Sequence, residues 1–253
     1  MNVLFTNDDG ICASGLRALV RAFTGAGHAA YVCAPDRERS AASHSATFNR
    51  ALRADIVDYP GAERAWAVDG TPADCASLGI FLARQMADID LVVSGINRGM
   101  NMGGACVYSG TVGAAMEASM CGVQALAASL YFDPNVAAAE DYSAAARVAL
   151  RVAEWMPAHP LPRGAMYNLN VPALPYDRLK GIAPATLAPT FLNDANFIPA
   201  GDDGWRNADV AFPPLDDPAC DQRLADQGWC TITRLTWDSR LDGPDDELTT
   251  IGL

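Results

Sequence analysis

Over its first two-thirds the chain alternates short apolar runs with stretches of helical periodicity, and that alternation restricts the fold more than any other feature. Residues 2–6 predict a strand, and residues 15–24 a helix with Leu16, Leu19, Val20 and Phe23 on one face and Gly25 and Gly27 closing it. "AAYVCAP" (29–35) reads as a second strand. In "GTPADCASLGIFLARQ", Thr71 is a helix N-cap, Pro72 takes the first helical position and Asp74 completes a capping box. A strand over 89–93 follows, then a helix from about 109 to 121 with Val112, Ala115, Met116 and Met120 on its apolar side. Residues 123–130 read as a strand, 135–156 as a long helix and 166–172 as a further strand. Strands alternating with helices in this way predict an α/β fold, a doubly wound and mostly parallel sheet. From residue 173 Pro and Asp become frequent, and only "WCTITRL" (229–235) reads as a strand. We expect a single domain over 1–253, with a core of 1–172 and an irregular extension of 173–253 that takes part in subunit contacts.

Composition narrows the partners. The net charge of −12 on 253 residues disfavours nucleic-acid polymers and anionic membrane surfaces. No signal-peptide pattern and no long apolar segment stands in the sequence, so a cytoplasmic protein is expected. Seven scattered cysteines without C-x-x-C spacing predict free thiols, and three widely spaced histidines make a His-rich metal site implausible.

In open parallel sheets ligands bind beyond the carboxyl ends of the strands. Three expected strands end in polar clusters: Asn7-Asp8-Asp9-Gly10, then "PDRERSAASHS" (35–45), then "SGINRGMNMGG" (94–104). Asp8 and Asp9 suit either a turn or a cation. With Ser40 and Asn97 they form an all-oxygen donor set, which Mg²⁺, Mn²⁺ or Ca²⁺ prefers over Zn²⁺. "YSGTVGAA" offers backbone N–H groups and the Ser109 and Thr111 hydroxyls at a helix start, either as an anion site or as an ordinary N-cap. Arg37, Arg39 and Arg98 are either counter-charges for an anion or solvated surface. His44, between two serines, is either a proton-transfer group or a hydrogen-bonded loop residue. Phosphate-loop, dinucleotide, nucleophile-elbow and zincin motifs are all missing. "DID" (88–90) precedes its apolar run, the wrong order for an aspartyl-phosphate site.

The segments "TNDDGI", "APDRERSAASHS", "GTPADC", "SGINRGMNMG", "YSGTVGAAMEA", "NLNVP" and "GWCTIT", in this order, resemble the SurE (survival protein E) family of 5′/3′-nucleotidases. The resemblance implies one divalent metal per subunit, Mg²⁺ or Mn²⁺ with Ca²⁺ able to take the site, on Asp8, Asp9, Ser40 and Asn97. It also implies hydrolysis of nucleoside 5′- and 3′-monophosphates, with activity on short polyphosphate in some members, and a homodimer or homotetramer. Asp8 and Asp9 are then the catalytic candidates, with water rather than an aspartate as nucleophile. Asn7, Gly10, Arg39, Ser43, His44, Asn101, Ser109, Gly110 and Thr111 are the candidates for holding substrate and phosphate. The sequence departs from the family's usual pattern at Arg234 and across the acidic stretch 190–227, which disfavours long polyphosphate chains. A nucleotide-binding protein without turnover is the alternative. A serine hydrolase on Ser43, His44 and Ser45 lacks an elbow and an orienting acid.

Overall fold

The structure is a computed structural model that describes residues 1–132, 140–189, 197–201, 204–207 and 215–238. Eleven strands and five α-helices follow one another along these residues. They are β1 (Asn2–Thr6), α1 (Ser14–Gly25), β2 (Ala29–Pro35), β3 (Ala54–Val57), β4 (Arg64–Val68), α2 (Pro72–Ala83), β5 (Leu91–Arg98) and α3 (Gly110–Met120). Then come β6 (Gln124–Tyr131), α4 (Ser143–Trp155), β7 (Ala165–Pro172), β8 (Ile182–Pro184), β9 (Phe197–Ala200), β10 (Gly204–Asn207), α5 (Asp221–Asp226) and β11 (Cys230–Thr236). Nine strands make one sheet in the order β3-β4-β2-β1-β5-β6-β7-β11-β8; β9 and β10 form a separate antiparallel pair. The inner strands β4, β2, β1, β5, β6 and β7 are all parallel.

The two faces follow from the side-chain period of two along each strand. Val3, Phe5 and Val93 point to the face covered by α1 and α4, where Leu16, Leu19, Phe23, Val148 and Val152 meet them. Leu4 and Val92 point to the other face, with Cys75 and Ile80 of α2 and Val112 and Ala115 of α3. Strands buried on both sides read as continuous apolar runs, which is why β1 and β2 are legible without alternation.

The predicted capping box at α2 is present: the Asp74 amide donates to Thr71 Oγ1 at 3.1 Å, and the Thr71 amide to Asp74 Oδ2 at 2.9 Å. Asp74 also accepts from the Thr47 amide at 2.9 Å and the Thr47 hydroxyl at 2.6 Å, so it ties the 45–47 loop to the helix. Burial pushes the Asp74 carboxyl up, but the Thr47 and Thr71 hydrogen bonds outweigh it and hold the group below its ordinary value. A depressed folded pKa means stability that is present above 3.8 and lost as pH falls through the folded value. Asp74→Ala, by removing these bonds, should cost about 2–3 kcal/mol at pH 7 and lower Tm by roughly 5–10 °C. Thermal melts of both proteins from pH 7 down to pH 3 should show that gap narrowing; a constant gap would contradict the charge-linked account.

Some expectations need correction. The helix expected over 135–156 begins at Ser143, because the Asp141 carboxylate takes the Ser143 amide at 2.8 Å and stops the turn; residues 133–139 lie outside the described residues. Met120, expected on the apolar side of α3, is 38% exposed at the helix end. The strand expected over 89–93 runs on to Arg98, with its polar end still paired to β6 across a register shift between Gly95 and Asn97. β3 and β4 have no counterpart in the sequence reading. Within the expected extension, β11 joins the main sheet antiparallel to β7. All seven cysteines are free, five of them buried. Among the described residues no helix is long and apolar enough to cross a membrane.

Candidate active site

The strand order reverses between β1 and β5: the chain moves outward from β1 through β2 to β4, then returns to the other side of β1. Loops leaving the carboxyl ends of β1 and β5 therefore diverge and open a crevice. A cleft of about 260 Å³ lies there. It takes Asp8 and Asp9 from the end of β1, Ser40 and Glu38 from the loop after β2, and Asn97 and Arg98 from the end of β5. Asn101, Ala105, Tyr108 and Ser109 from the segment before α3 complete it.

Two adjacent carboxylates converge here because of the turn that follows them. Asn7 closes that turn, its amide donating to the Gly10 carbonyl at 3.0 Å and its oxygen accepting from the Gly10 amide at 3.2 Å. Gly10 has a φ of +96°, and a Cβ there would lie 3.0 Å from the Arg37 backbone, so only glycine lets the two loops approach. Asn7 and Gly10 thus shape the site rather than line it.

Asp8 is held from several sides. Its carbonyl accepts from the Arg39 amide at 2.7 Å, and its carboxylate accepts from the Thr111 hydroxyl. The sequence left the start of α3 as an anion site or an ordinary N-cap; in the structure Ser109 caps the helix and Thr111 donates to the Asp8 carboxylate. Burial pushes the Asp8 carboxyl up, opposed by the Thr111 hydroxyl and the Thr111 and Gly110 amides. Gly110 permits the contact, since a Cβ there would sit 2.9 Å from Asp8 Cβ. Asp9 accepts from the Arg98 amide at 3.1 Å. Burial, followed by the neighbouring Asp8 charge, pushes Asp9 up to about 6, and Glu38 adds to the rise.

The other donors are also oriented. Asn97 spends its Nδ2 on the Gly99 carbonyl at 3.0 Å, which leaves its oxygen for a ligand. The Ser40 hydroxyl donates to Glu38 at 2.6 Å, which leaves lone pairs on its oxygen. Two carboxylates, an amide oxygen and a hydroxyl at one cleft form the donor set of a hard cation, and both carboxyls are driven up, Asp8 by burial and Asp9 by burial and the Asp8 charge, which a bound cation would relieve. The residues therefore fit a divalent metal.

Several candidates have other partners. Ser43 donates its hydroxyl to the Val107 carbonyl at 2.7 Å and its amide to the Tyr108 carbonyl at 2.9 Å, bracing the cleft segment from outside. His44 pairs with Glu117 at 2.8 Å. Arg39 turns to the Asp69 carbonyl at 3.1 Å and to Asp36. Ser109 accepts from the Val112 amide at 3.1 Å as the N-cap of α3, with its hydroxyl proton available to the cleft. Asn101 is buried, its amide donating to Ser129 at 2.8 Å. Arg98 meets Glu140 at 2.5 Å, so the cation nearest Asp9 is partly neutralised. The sequence reading missed Glu38 and Tyr108 as cleft residues, and missed Asn168 and Asn170 beneath Asn101.

Residues 3–193 match the family model for "Survival protein SurE". The chain is similar to the 5′-nucleotidase SurE of Synechococcus sp. (strain JA-3-3Ab), 38% identical over 94% of this chain and 92% of that one. It is likewise similar to the 5′-nucleotidase SurE of Geotalea daltonii, 46% identical over 71% and 69%. The crystal structure of the SurE protein from Aquifex aeolicus superposes with a TM-score of 0.78 at 29% identity, covering 95% of each chain.

Proposed function

Because the chain belongs to the SurE family, whose curated relatives bear the name 5′-nucleotidase, we propose that it is a divalent-metal-dependent phosphomonoesterase. Its substrates on this reading are nucleoside 5′-monophosphates, with 3′-monophosphates and short polyphosphate as further ones. Asp8, Asp9, Ser40 and Asn97 would hold one Mg²⁺ or Mn²⁺. The observation that carries the reading is the charge of the cleft. Asp8, Asp9 and Glu38 face it, against Arg98 already paired to Glu140. Such a cleft repels a phosphate dianion, and a divalent cation would offset most of that negative charge and give the phosphate a positive contact.

When bound, the metal supplies charge stabilisation on phosphate oxygen and a more acidic water. The chain's own residues do the rest. Thr111 and the start of α3 hold Asp8 in one orientation, and the Arg98 amide does the same for Asp9. Ser109, next to the helix start that holds Asp8, would offer its hydroxyl proton to the phosphate. The charged groups are fixed before substrate arrives, so little reorganisation is required during reaction. A homodimer or homotetramer completes the proposal.

Phosphate release from 5′-AMP, 3′-AMP and an aryl phosphate, with Mn²⁺ or Mg²⁺ and again with EDTA, tests it. Release that requires metal, with 5′-AMP among the substrates, is expected. No release from any substrate by folded protein with metal present would overturn it.

A further inference from the structure

Among the described residues, none that lines the cleft comes from beyond residue 109, yet the later part of the chain reaches its wall. The segment from Gly99 to Ser109 supplies Asn101, Ala105, Tyr108 and Ser109 to the cleft. At its base the Gly103 amide donates to Asp221 Oδ2 at 3.0 Å. The other oxygen of Asp221 accepts the Ala188 amide at 2.9 Å and the Gln222 amide at 2.8 Å. Asp221 is 0% exposed and makes no ion pair among the described residues; backbone amides from three separate stretches of chain answer its charge. A buried carboxylate answered only by amides makes charge-assisted hydrogen bonds, stronger than neutral ones, and is costly if one is lost. Beside it Met102 packs on Ala225 of α5 and on Tyr131, so an apolar contact reinforces the polar one.

We infer that Asp221 is a positioning residue for the cleft: it clasps the 99–109 segment at Gly103 to the C-terminal part of the chain and, between the ties at Asn101 and at Ser43, sets where Ala105 and Tyr108 stand relative to Asp8 and Asp9. This rests on the phosphomonoesterase reading of the cleft. The clasp acts on one wall only. Asp8, Asp9, Ser40 and Asn97 are carried by other segments, so metal binding is independent of it and phosphate positioning is not. The segment's other ties lie toward its two ends: Asn168 and Asn170 hold the Asn101 carbonyl, and Ser43 holds the Val107 and Tyr108 carbonyls, so between them Asp221 is the group that takes the Gly103 amide.

Asp221→Asn is a selective test. The oxygen of asparagine can serve the Ala188 and Gln222 amides together, which turns its NH₂ toward the Gly103 amide, donor against donor. Expected results are a folded protein, at least tenfold faster amide exchange from Gly103 through Cys106, and kcat/KM for 5′-AMP lowered about tenfold or more. The Mn²⁺ concentration that half-saturates its thermal stabilisation should be unchanged. Wild-type kcat/KM together with wild-type exchange at Gly103 would overturn the inference, and so would a loss of Mn²⁺ affinity matching the loss of turnover. A variant that fails to fold is answered on the wild type, where the Gly103, Ala188 and Gln222 amides should exchange at rates within a few-fold of one another through one opening. Fast, independent exchange of Gly103 would overturn the clasp. Absence of turnover in the wild type would instead reject the phosphomonoesterase reading, and the exchange measurements would still decide the clasp.

Discussion

Asp9→Asn should abolish metal-dependent phosphate release, by about 10³-fold or more, while making the metal-free protein more stable. The loss of activity follows from removing one of two carboxylates that would hold the cation and fix charge at the reacting phosphate. The stability gain follows from electrostatics. Burial and the Asp8 charge raise Asp9 from 3.8 to about 6. A raised folded pKa means stability fully present below 3.8 and lost as pH rises through about 6, so at pH 7 the metal-free wild type carries the whole penalty. Asp9 is partly solvated, and after allowance for screening the penalty is on the order of 1 kcal/mol, or a Tm gain of about 2–4 °C for the variant. Adding Mn²⁺ should raise the Tm of the wild type at pH 7 and leave that of Asp9→Asn nearly still. Differential scanning fluorimetry at pH 5 and pH 7, with Mn²⁺ and with EDTA, reads all of this in one plate. A variant that melts lower than the metal-free wild type at pH 7 would show that Asp9 is a structural residue and not a held charge.

That pair of aspartates was readable in the sequence because of position rather than type. A short apolar run, Val3 to Phe5, that stops at Thr-Asn-Asp-Asp-Gly places its carboxylates at a strand end, and the parallel order then brings Ser40 and Asn97 to the same edge. Glu38 was not readable in this way: inside "PDRER" every side chain looks like solvated surface, and only the turn into Ser40 brings it to the cleft. Asn168 and Asn170 carried a usable signal, because two polar residues at i and i+2 in an apolar strand share one face and must find partners there. Asp221 carried none. Its partners Gly103 and Ala188 are far away in sequence, and its neighbourhood shows no period. β3 and β4 were lost for a related reason, since each is short and β3 is an edge strand with Ile56 exposed, where burial imposes no pattern. Ser43 and Arg39 lie in the loop the sequence pointed to, and there Ser43 donates to the Val107 carbonyl and Arg39 to the Asp69 carbonyl, partners distant in sequence that no local pattern announces.

Gly110→Ala should cut metal-dependent turnover about 100-fold, because displacing a catalytic group by an ångström costs on that order. Gly110 is the first residue of α3, and its Cα lies against the aspartate that the helix start holds. A Cβ there would come within 2.9 Å of Asp8 Cβ, 3.0 Å of Asp8 Oδ2 and 2.9 Å of Pro72 Cγ. The Pro72 ring is rigid at the start of α2 and cannot yield. The strain must therefore move the first turn of α3 or swing the Asp8 carboxylate off the Thr111 hydroxyl. Overpacking of this kind costs about 1–3 kcal/mol, enough to lower Tm by several degrees without unfolding the chain. Gly25→Ala is the matched control: nothing lies within 4 Å of its Cβ, so the same added methyl at the end of α1 should leave turnover unchanged and hold or slightly raise Tm. The Gly110 methyl meets Asp8 and Pro72, and the Gly25 methyl meets nothing. If Gly110→Ala matched the control in kcat/KM and in the Mn²⁺ concentration that half-activates it, the start of α3 could not be what holds Asp8 in its working position.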